Sequence, residues 1–275
     1  PWRVVNLQIS NSFGGLNFFD DNFESLTSGA KSNLHWVDRE LTSSIYNEDS
    51  KILDINSKTG LYPLHAAISL YFQRLKRNND GHFEADKVYQ DILSKNIFAI
   101  AKTPMAKTIT KRTLAGYKNY RTNVEYIENL VSISKSNITA GQELIKERFN
   151  GMKFDVVIGN PPYQENDNGI RNNGTTSASA SPIYHYFFNI SKEISNRFVE
   201  LIFPSRWLSG AGKGMSDFRK EMMSDKHIRS VTVYKESQMI FPNNDIKGGI
   251  MYLTYDKKYE GKTDITVVDN KDEQY

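Results

Sequence analysis

Cysteine is absent from all 275 residues. That removes disulfide scaffolds, cysteine-based zinc sites and thiol catalysis. Long apolar runs are missing too. None approaches the ~18 residues that a membrane-spanning helix needs, and mean hydropathy is −0.55. The chain opens Pro1-Trp2-Arg3, with no leader-like apolar stretch behind it. Nor is there a strong charge of either sign: 35 basic and 32 acidic side chains leave +3, so composition alone does not point to nucleic acid. His35, His65, His82, His185 and His227 lack metal-ligand spacing and read as surface or packing residues. These absences predict a soluble cytoplasmic protein with neither membrane nor metal as a partner. What is present is a 39% hydrophobic share, enough for a core and too high for a disordered chain. The length suits one large domain, or one domain with a small appendage.

Short apolar runs alternate with helical patterns. Strands are expected over 51–55, 96–101, 137–140, 154–158, 198–203, 228–234 and 249–255, with a further tail strand over 264–268. Helical spacing covers 61–77, where Arg74-Leu75-Lys76-Arg77 suits a C-terminus, and also 124–134, 183–194 and 215–223. Thr103 followed by Pro104 reads as a helix cap. Such alternation predicts an open, mostly parallel α/β sheet with helices on both faces. Ligands then bind beyond the carboxyl ends of the strands, at a topological switch point. A long polar loop is expected over 164–181. Gly210, Gly212 and Gly214 surround Lys213 in a second loop, which reads as solvated rather than as a phosphate contact.

Asn160-Pro161-Pro162-Tyr163 follows the strand over 154–158. At ordinary residue frequencies this tetrapeptide arises in about one chain of this size in a thousand. It is also a plain strand-ending turn, but one placed where an open α/β sheet puts its active site. Its chemistry suits an exocyclic amine, whose lone pair is delocalised into an aromatic ring. An amide oxygen from Asn160 and a fixed backbone carbonyl at Pro161 can each accept one N–H. That draws the nitrogen toward tetrahedral geometry and aims its lone pair at an electrophilic methyl. Pro162 stiffens the turn, so the acceptors need no reorganisation. Tyr163 offers a flat face to an extruded base.

Residues 153–164, Lys-Phe-Asp-Val-Val-Ile-Gly-Asn-Pro-Pro-Tyr-Gln, resemble the catalytic motif of the amino-group DNA methyltransferases of N6-adenine type. Softer similarity continues through Ser181-Pro182-Ile183-Tyr184-His185-Tyr186-Phe187, through Leu201-Ile202-Phe203-Pro204-Ser205-Arg206-Trp207-Leu208, and through Phe241-Pro242 to Lys247-Gly248-Gly249-Ile250. Overall it covers roughly 50–257, is strongest toward methylase regions of large restriction–modification polypeptides, and has the gamma-group motif order. The resemblance implies a Rossmann-like, S-adenosylmethionine-dependent fold with a seven-stranded sheet. It implies a cofactor-covering segment over 1–49 and a catalytic domain over 50–275. It also implies methyl transfer to a flipped adenine of DNA, as one part of a longer polypeptide that carries target recognition elsewhere.

By the same resemblance, Ile52-Leu53-Asp54-Ile55-Asn56-Ser57-Lys58-Thr59-Gly60 is the S-adenosylmethionine motif. Asp54, Asn56 and Gly60 would sit at the cofactor, together with Gln142 and Asn160. Asp54 would take the ammonium group; read as residues alone, it is equally a strand-end acid and Gly60 an ordinary turn. The glycine run is thinned, and Lys58 adds a cation. Ala101 stands where the family keeps a ribose-binding acid, and Gln142 where it keeps an acid beside the cofactor's adenine. Losing a charge-assisted hydrogen bond costs ~1.5–3 kcal/mol, which predicts weak cofactor binding. Phe13-Gly14-Gly15-Leu16-Asn17-Phe18-Phe19-Asp20 lies where a covering segment is expected, and reads equally as a turn and hydrophobic cluster. Arg206 and Trp207 read as core and rim rather than as contacts. Alternatives are a non-catalytic DNA-binding or scaffold module, and methylation of RNA or of a protein amide. A nicotinamide-type dinucleotide site is disfavoured, because no G-x-G-x-x-G follows a strand.

Overall fold

Six consecutive buried positions make up β1 (Ile52–Ser57) and five make up β2 (Ile97–Ala101). Unbroken burial of this kind belongs to parallel strands covered on both faces. The computed structural model describes residues 2–18, 34–78, 84–165, 181–210 and 214–269. After β1 come α2 (Leu61–Arg77) and α3 (Ala85–Lys95), then β2, α4 (Pro104–Ala115) and β3 (Asn123–Tyr126). The chain continues through α5 (Leu130–Ser136), α6 (Ile138–Arg148), β4 (Phe154–Gly159), α7 (Tyr184–Ile194) and β5 (Ser195–Pro204). It closes with α8 (Ser216–Ser224), β6 (Ile228–Tyr234), β7 (Ile250–Asp256) and β8 (Asp264–Val268).

The sheet has eight strands in the order β3-β2-β1-β4-β5-β7-β6-β8. Strands β3 to β5 are parallel, β7 is antiparallel to β5 and β6, and β8 runs parallel to β6. The sheet therefore has one strand more than the seven expected, because the tail strand joins its edge. The order reverses between β1 and β4, so the switch-point crevice opens beyond Ser57 and Gly159. Leu53, Ile55 and Val157 pack on one face with Phe98, Phe154 and Phe188. Ile52, Val156 and Ile158 pack on the other with Ile9, Phe13, Tyr46 and Leu70. Each such side chain contributes roughly 1.5–3 kcal/mol through burial.

Thr103 does cap α4, its hydroxyl accepting from the Ala106 amide at 3.1 Å. Two expectations fail at the third strand. The strand lies at Asn123–Tyr126, where a helix was expected; it is a short edge strand with only Val124 buried, too little for a clear period. Residues 137–140 are not a strand. Asn137 caps α6, accepting from the Ala140 amide at 3.2 Å. Gly141 lies inside that helix, where a Cβ would come within 2.4 Å of Ser134 Oγ on α5.

Ahead of the sheet stands α1 (Trp2–Ser12), for which the sequence offered no signal. Its polar residues Asn6, Gln8 and Ser10 are buried because each is bonded. Asn6 accepts from the Phe18 amide at 3.1 Å, Ser10 donates to the Leu16 carbonyl at 3.3 Å, and Gln8 accepts from the Tyr62 hydroxyl at 2.5 Å. Phe13 is a core residue, and Gly15–Asn17 pairs with His35–Val37, so Phe13 and Leu16 join the hydrophobic cluster that the sequence also offers for this segment. Residues 19 and 20, Lys213 and most of the 164–181 loop lie outside the described residues. No helix among the described residues is long and apolar enough to cross a membrane.

Candidate active site

The turn after β4 is fixed by a glycine. Gly159 has φ +137°, and a Cβ there would lie 2.6 Å from Asp54 Oδ1. Only glycine lets β4 approach that carboxyl so closely. One residue on, the Asn160 carbonyl accepts from Asn56 Nδ2 at 2.7 Å. The ends of β1 and β4 are thus tied together, and Asp54, Asn56 and Asn160 share one crevice. Asn160 Oδ1 is buried with no hydrogen-bond partner among the described residues. Leaving such an acceptor unpaired costs ~1–3 kcal/mol, which a donor entering the crevice would recover.

Pro161 and Pro162 carry the chain to Tyr163, whose carbonyl accepts from the Ile183 amide at 3.0 Å. The Tyr163 ring packs among the aromatic and aliphatic residues beneath the crevice. Its hydroxyl makes no hydrogen bond of good geometry. Burial pushes that hydroxyl's pKa well up, with the nearby Asn160 side chain a smaller opposing influence.

Asp54 is buried, and burial raises its carboxyl to about 7. The Asn56 amide, the Ser57 hydroxyl and the Lys58 charge act in the opposite direction without cancelling it. Lys58 is pushed down by burial first and then by its neighbour Lys102, while Asp54 pulls it up.

Two cavities meet at Asn160. The smaller, about 110 Å³, lies over Asp54, Asn56 and Gly60, beneath Val4, Tyr62 and Phe241. The larger, about 570 Å³, runs past the Asn160–Tyr163 turn to Tyr184 and Arg206. Lys58 lines both. Of the expected site residues, Asp54, Asn56, Gly60, Asn160, Pro161, Pro162 and Tyr163 therefore converge. Gln142 does not: it lies on α6 and lines neither cavity. Its assignment assumes that a strand ends there, whereas the third strand ends at Tyr126 and the first acid after it is Glu128. Ala101 is buried at the end of β2, and the next residue, Lys102, lines the larger cavity.

Sequence reasoning missed Val4 and Tyr62, which carry no local motif, and gave Phe241 no role although it opens a segment that carries the resemblance. Arg206 and Lys247 lie within segments that carry the resemblance, and both line the larger cavity. Trp207 is core rather than rim, edge-on to Phe218. His65 and His185 are both pushed down to about 4 by burial. Among the described residues no group of three or more His, Asp or Glu side chains could hold a metal ion.

The model of the Eco57I restriction-modification methylase family matches residues 95–241. The chain belongs to that family. An uncharacterized adenine-specific methylase of Mycoplasma pneumoniae is 30% identical over 148 residues, covering 54% of this chain and 33% of that protein. The Type ISP restriction-modification enzyme LlaBIII, solved bound to DNA, superposes over 98% of this Eco57I-family chain and 19% of its own, with a TM-score of 0.59 and 16% identity. The DrdV–DNA complex gives 0.60 and 15% identity, covering 98% of this chain and 27% of that one. The M protein of the Type I enzyme EcoKI gives 0.53 and 14% identity, covering 82% and 45%. These likenesses establish a shared methylase fold. The family chain studied here spans about a third of the M. pneumoniae relative's length and less than half of each of these structures.

Proposed function

We propose that this chain transfers a methyl group from S-adenosylmethionine to the N6 amine of adenine in DNA, within a restriction–modification polypeptide of the cytoplasm. Residues 50–275 form the catalytic domain in this reading, and 1–49 cover the cofactor through Val4 and Val5, which line the smaller cavity. The observation that carries the reading is the buried, unpaired Asn160 Oδ1. It stands beside a rigid Pro161 carbonyl at the switch point, in a chain of a methylase family.

The residues over Asp54 fit the cofactor's methionine end. A buried carboxyl suits an ammonium, and apolar walls from Val4, Val5 and Leu61 suit a short aliphatic chain. Bound there, S-adenosylmethionine supplies an electrophilic methyl on a sulfonium. Asn160 and Pro161 then accept the two N6 hydrogens and turn the nitrogen lone pair toward that methyl. Pro162 holds both acceptors in place, so little reorganisation is needed at reaction. Tyr163 supports the base, which must leave the duplex to reach the crevice. As the N–C bond forms, the C–S pair stays on sulfur and the surplus N6 proton passes to water.

Incorporation of labelled methyl into unmodified genomic DNA, followed by nucleoside analysis, tests the proposal. The expected product is N6-methyldeoxyadenosine, lost at least a hundredfold in Asn160→Ala while cofactor binding persists. Label in RNA or protein alone, or none with a folded, cofactor-bound chain, would overturn it; the latter is what a scaffold module would give.

A further inference from the structure

Among the described residues the larger cavity is lined by four cations, Lys58, Lys102, Arg206 and Lys247, against one acid, Asp245. S-adenosylmethionine is itself a cation, so this surplus is not explained by the cofactor. The four fall into two pairs. Lys58 and Lys102 follow β1 and β2, on the cofactor side. Arg206 and Lys247 lie across the Asn160–Tyr163 turn, beyond β5 and ahead of β7.

The second pair is held together by backbone. Ser205 Oγ donates to the Gly248 carbonyl at 2.6 Å, and the Ser205 amide donates to the Gly249 carbonyl at 3.2 Å. Gly248 has φ +89°, and a Cβ on it would lie 3.0 Å from the Arg206 Cβ. Gly249 has φ +82°, and a Cβ there would meet the Tyr234 carbonyl at 2.3 Å. Two successive glycines thus press the turn that bears Lys247 directly onto Arg206. Neither side chain has an ion-pair partner among the described residues. A neighbouring cation does: Lys235, whose carbonyl lies against Gly249, pairs with Asp269 at 2.6 Å. Two like charges fixed side by side at a cavity rim repel each other unless an anion lies between them.

We propose that Arg206 and Lys247 form a phosphate clamp that grips a phosphodiester flanking the extruded adenine, on the side of the cavity away from the cofactor. The inference rests on reading Asn160–Tyr163 as a base pocket. A nucleotide whose base enters that pocket brings its phosphates to the rim. Arginine offers a planar fork to the phosphate oxygens and lysine a point charge. Phosphate contacts of this kind position the strand without reading its sequence. The clamp therefore holds whichever adenine is presented, and recognition is left to other parts of the polypeptide.

Deoxyadenosine and deoxyadenosine 3′,5′-bisphosphate are probes that need no recognition sequence. Their affinities for the whole chain, measured by calorimetric titration at two salt concentrations, test the clamp. The bisphosphate is expected to bind at least tenfold more tightly than the nucleoside, with only the bisphosphate weakening in salt. Arg206→Ala combined with Lys247→Ala should cut that advantage below threefold and leave nucleoside binding and the melting temperature unchanged. Alanine at 206 keeps the Cβ against Gly248, so the turn itself survives. A bisphosphate no better than the nucleoside overturns the clamp and leaves the base pocket standing. So does an advantage that persists in the double variant and disappears instead in Lys58→Ala with Lys102→Ala. Failure of the nucleoside to bind, or binding indifferent to Asn160→Ala, overturns the base pocket and the clamp with it.

Discussion

Asn56 donates its side-chain amide to the backbone carbonyl of Asn160 at 2.7 Å, so the residue proposed to hold the target amine is positioned by the strand proposed to hold the cofactor. Cofactor and acceptor are thereby set at one fixed separation, the main requirement of a direct displacement. Asn56→Ala leaves that carbonyl without its donor, a loss of ~1–3 kcal/mol that falls on the catalytic turn. Methyl transfer should drop about tenfold or more, while the melting temperature moves only a few degrees. Unchanged turnover in Asn56→Ala would show that the tie is dispensable.

Gly159→Ala tests the other link between these strands. The new Cβ meets Asp54 Oδ1 at 2.6 Å from a backbone with φ +137°, a conformation that costs a residue with a side chain ~1–3 kcal/mol. Asp54 must swing away or β4 must retreat. Cofactor affinity should fall at least tenfold at temperatures where circular dichroism shows the variant still folded. A variant that melts lower yet binds cofactor normally would place the strain elsewhere than at Asp54.

The parts of this arrangement that the sequence revealed were those written locally. Asn160–Tyr163 is a rare tetrapeptide behind a strongly apolar strand, and β1, β2 and β4 are short, mostly buried apolar runs. What stayed hidden depends on distant partners. The polar face of α1 disguises a buried helix, because Gln8 is solvated by Tyr62 and Glu200 rather than by water. The third strand carries one buried residue and so no readable period, while Asn137, a helix cap, mimics a strand start and gives Gln142 the place of a strand end. Arg206 and Lys247 are 41 positions apart in the chain, and the pairing of β5 with β7 and the bonds from Ser205 to Gly248 and Gly249 bring them together.

Glu200 sits fully buried on β5, accepting from Thr254 and Gln8, and burial raises its carboxyl to about 8. Unfolded, it titrates near the ordinary 4.5, so the folded chain keeps this proton to higher pH than the unfolded one. Its contribution to stability is complete below about pH 4.5, falls as pH rises to about 8, and is flat beyond. Asp54, raised to about 7, slopes the same way, whereas His65 and His185, lowered to about 4, slope oppositely at lower pH. The difference between wild type and Glu200→Gln isolates the one group. Denaturant titrations should show the variant gaining on wild type between about pH 5 and 8, on the order of 1.4 kcal/mol per unit of pKa shift. A pH-independent difference would mean that Glu200 is ionised in the folded state.

Cofactor affinity separates the residues that the structure brings together from the one it does not. Asp54→Asn removes the buried carboxylate and should weaken S-adenosylmethionine binding ten- to a hundredfold, as the loss of a hydrogen bond to a charged group does. Gln142→Ala, on α6 and outside both cavities, should leave binding within about twofold and stability within ~0.5 kcal/mol. The expectation of weak binding now rests on Ala101 alone. In the wild type a cation must displace the Asp54 proton below about pH 7. Affinity should therefore rise from about pH 6 to about pH 8 and stay level in Asp54→Asn. Calorimetric titration at three pH values checks both. A Gln142→Ala variant that loses binding, or a pH slope that survives Asp54→Asn, would move the cofactor away from the end of β1.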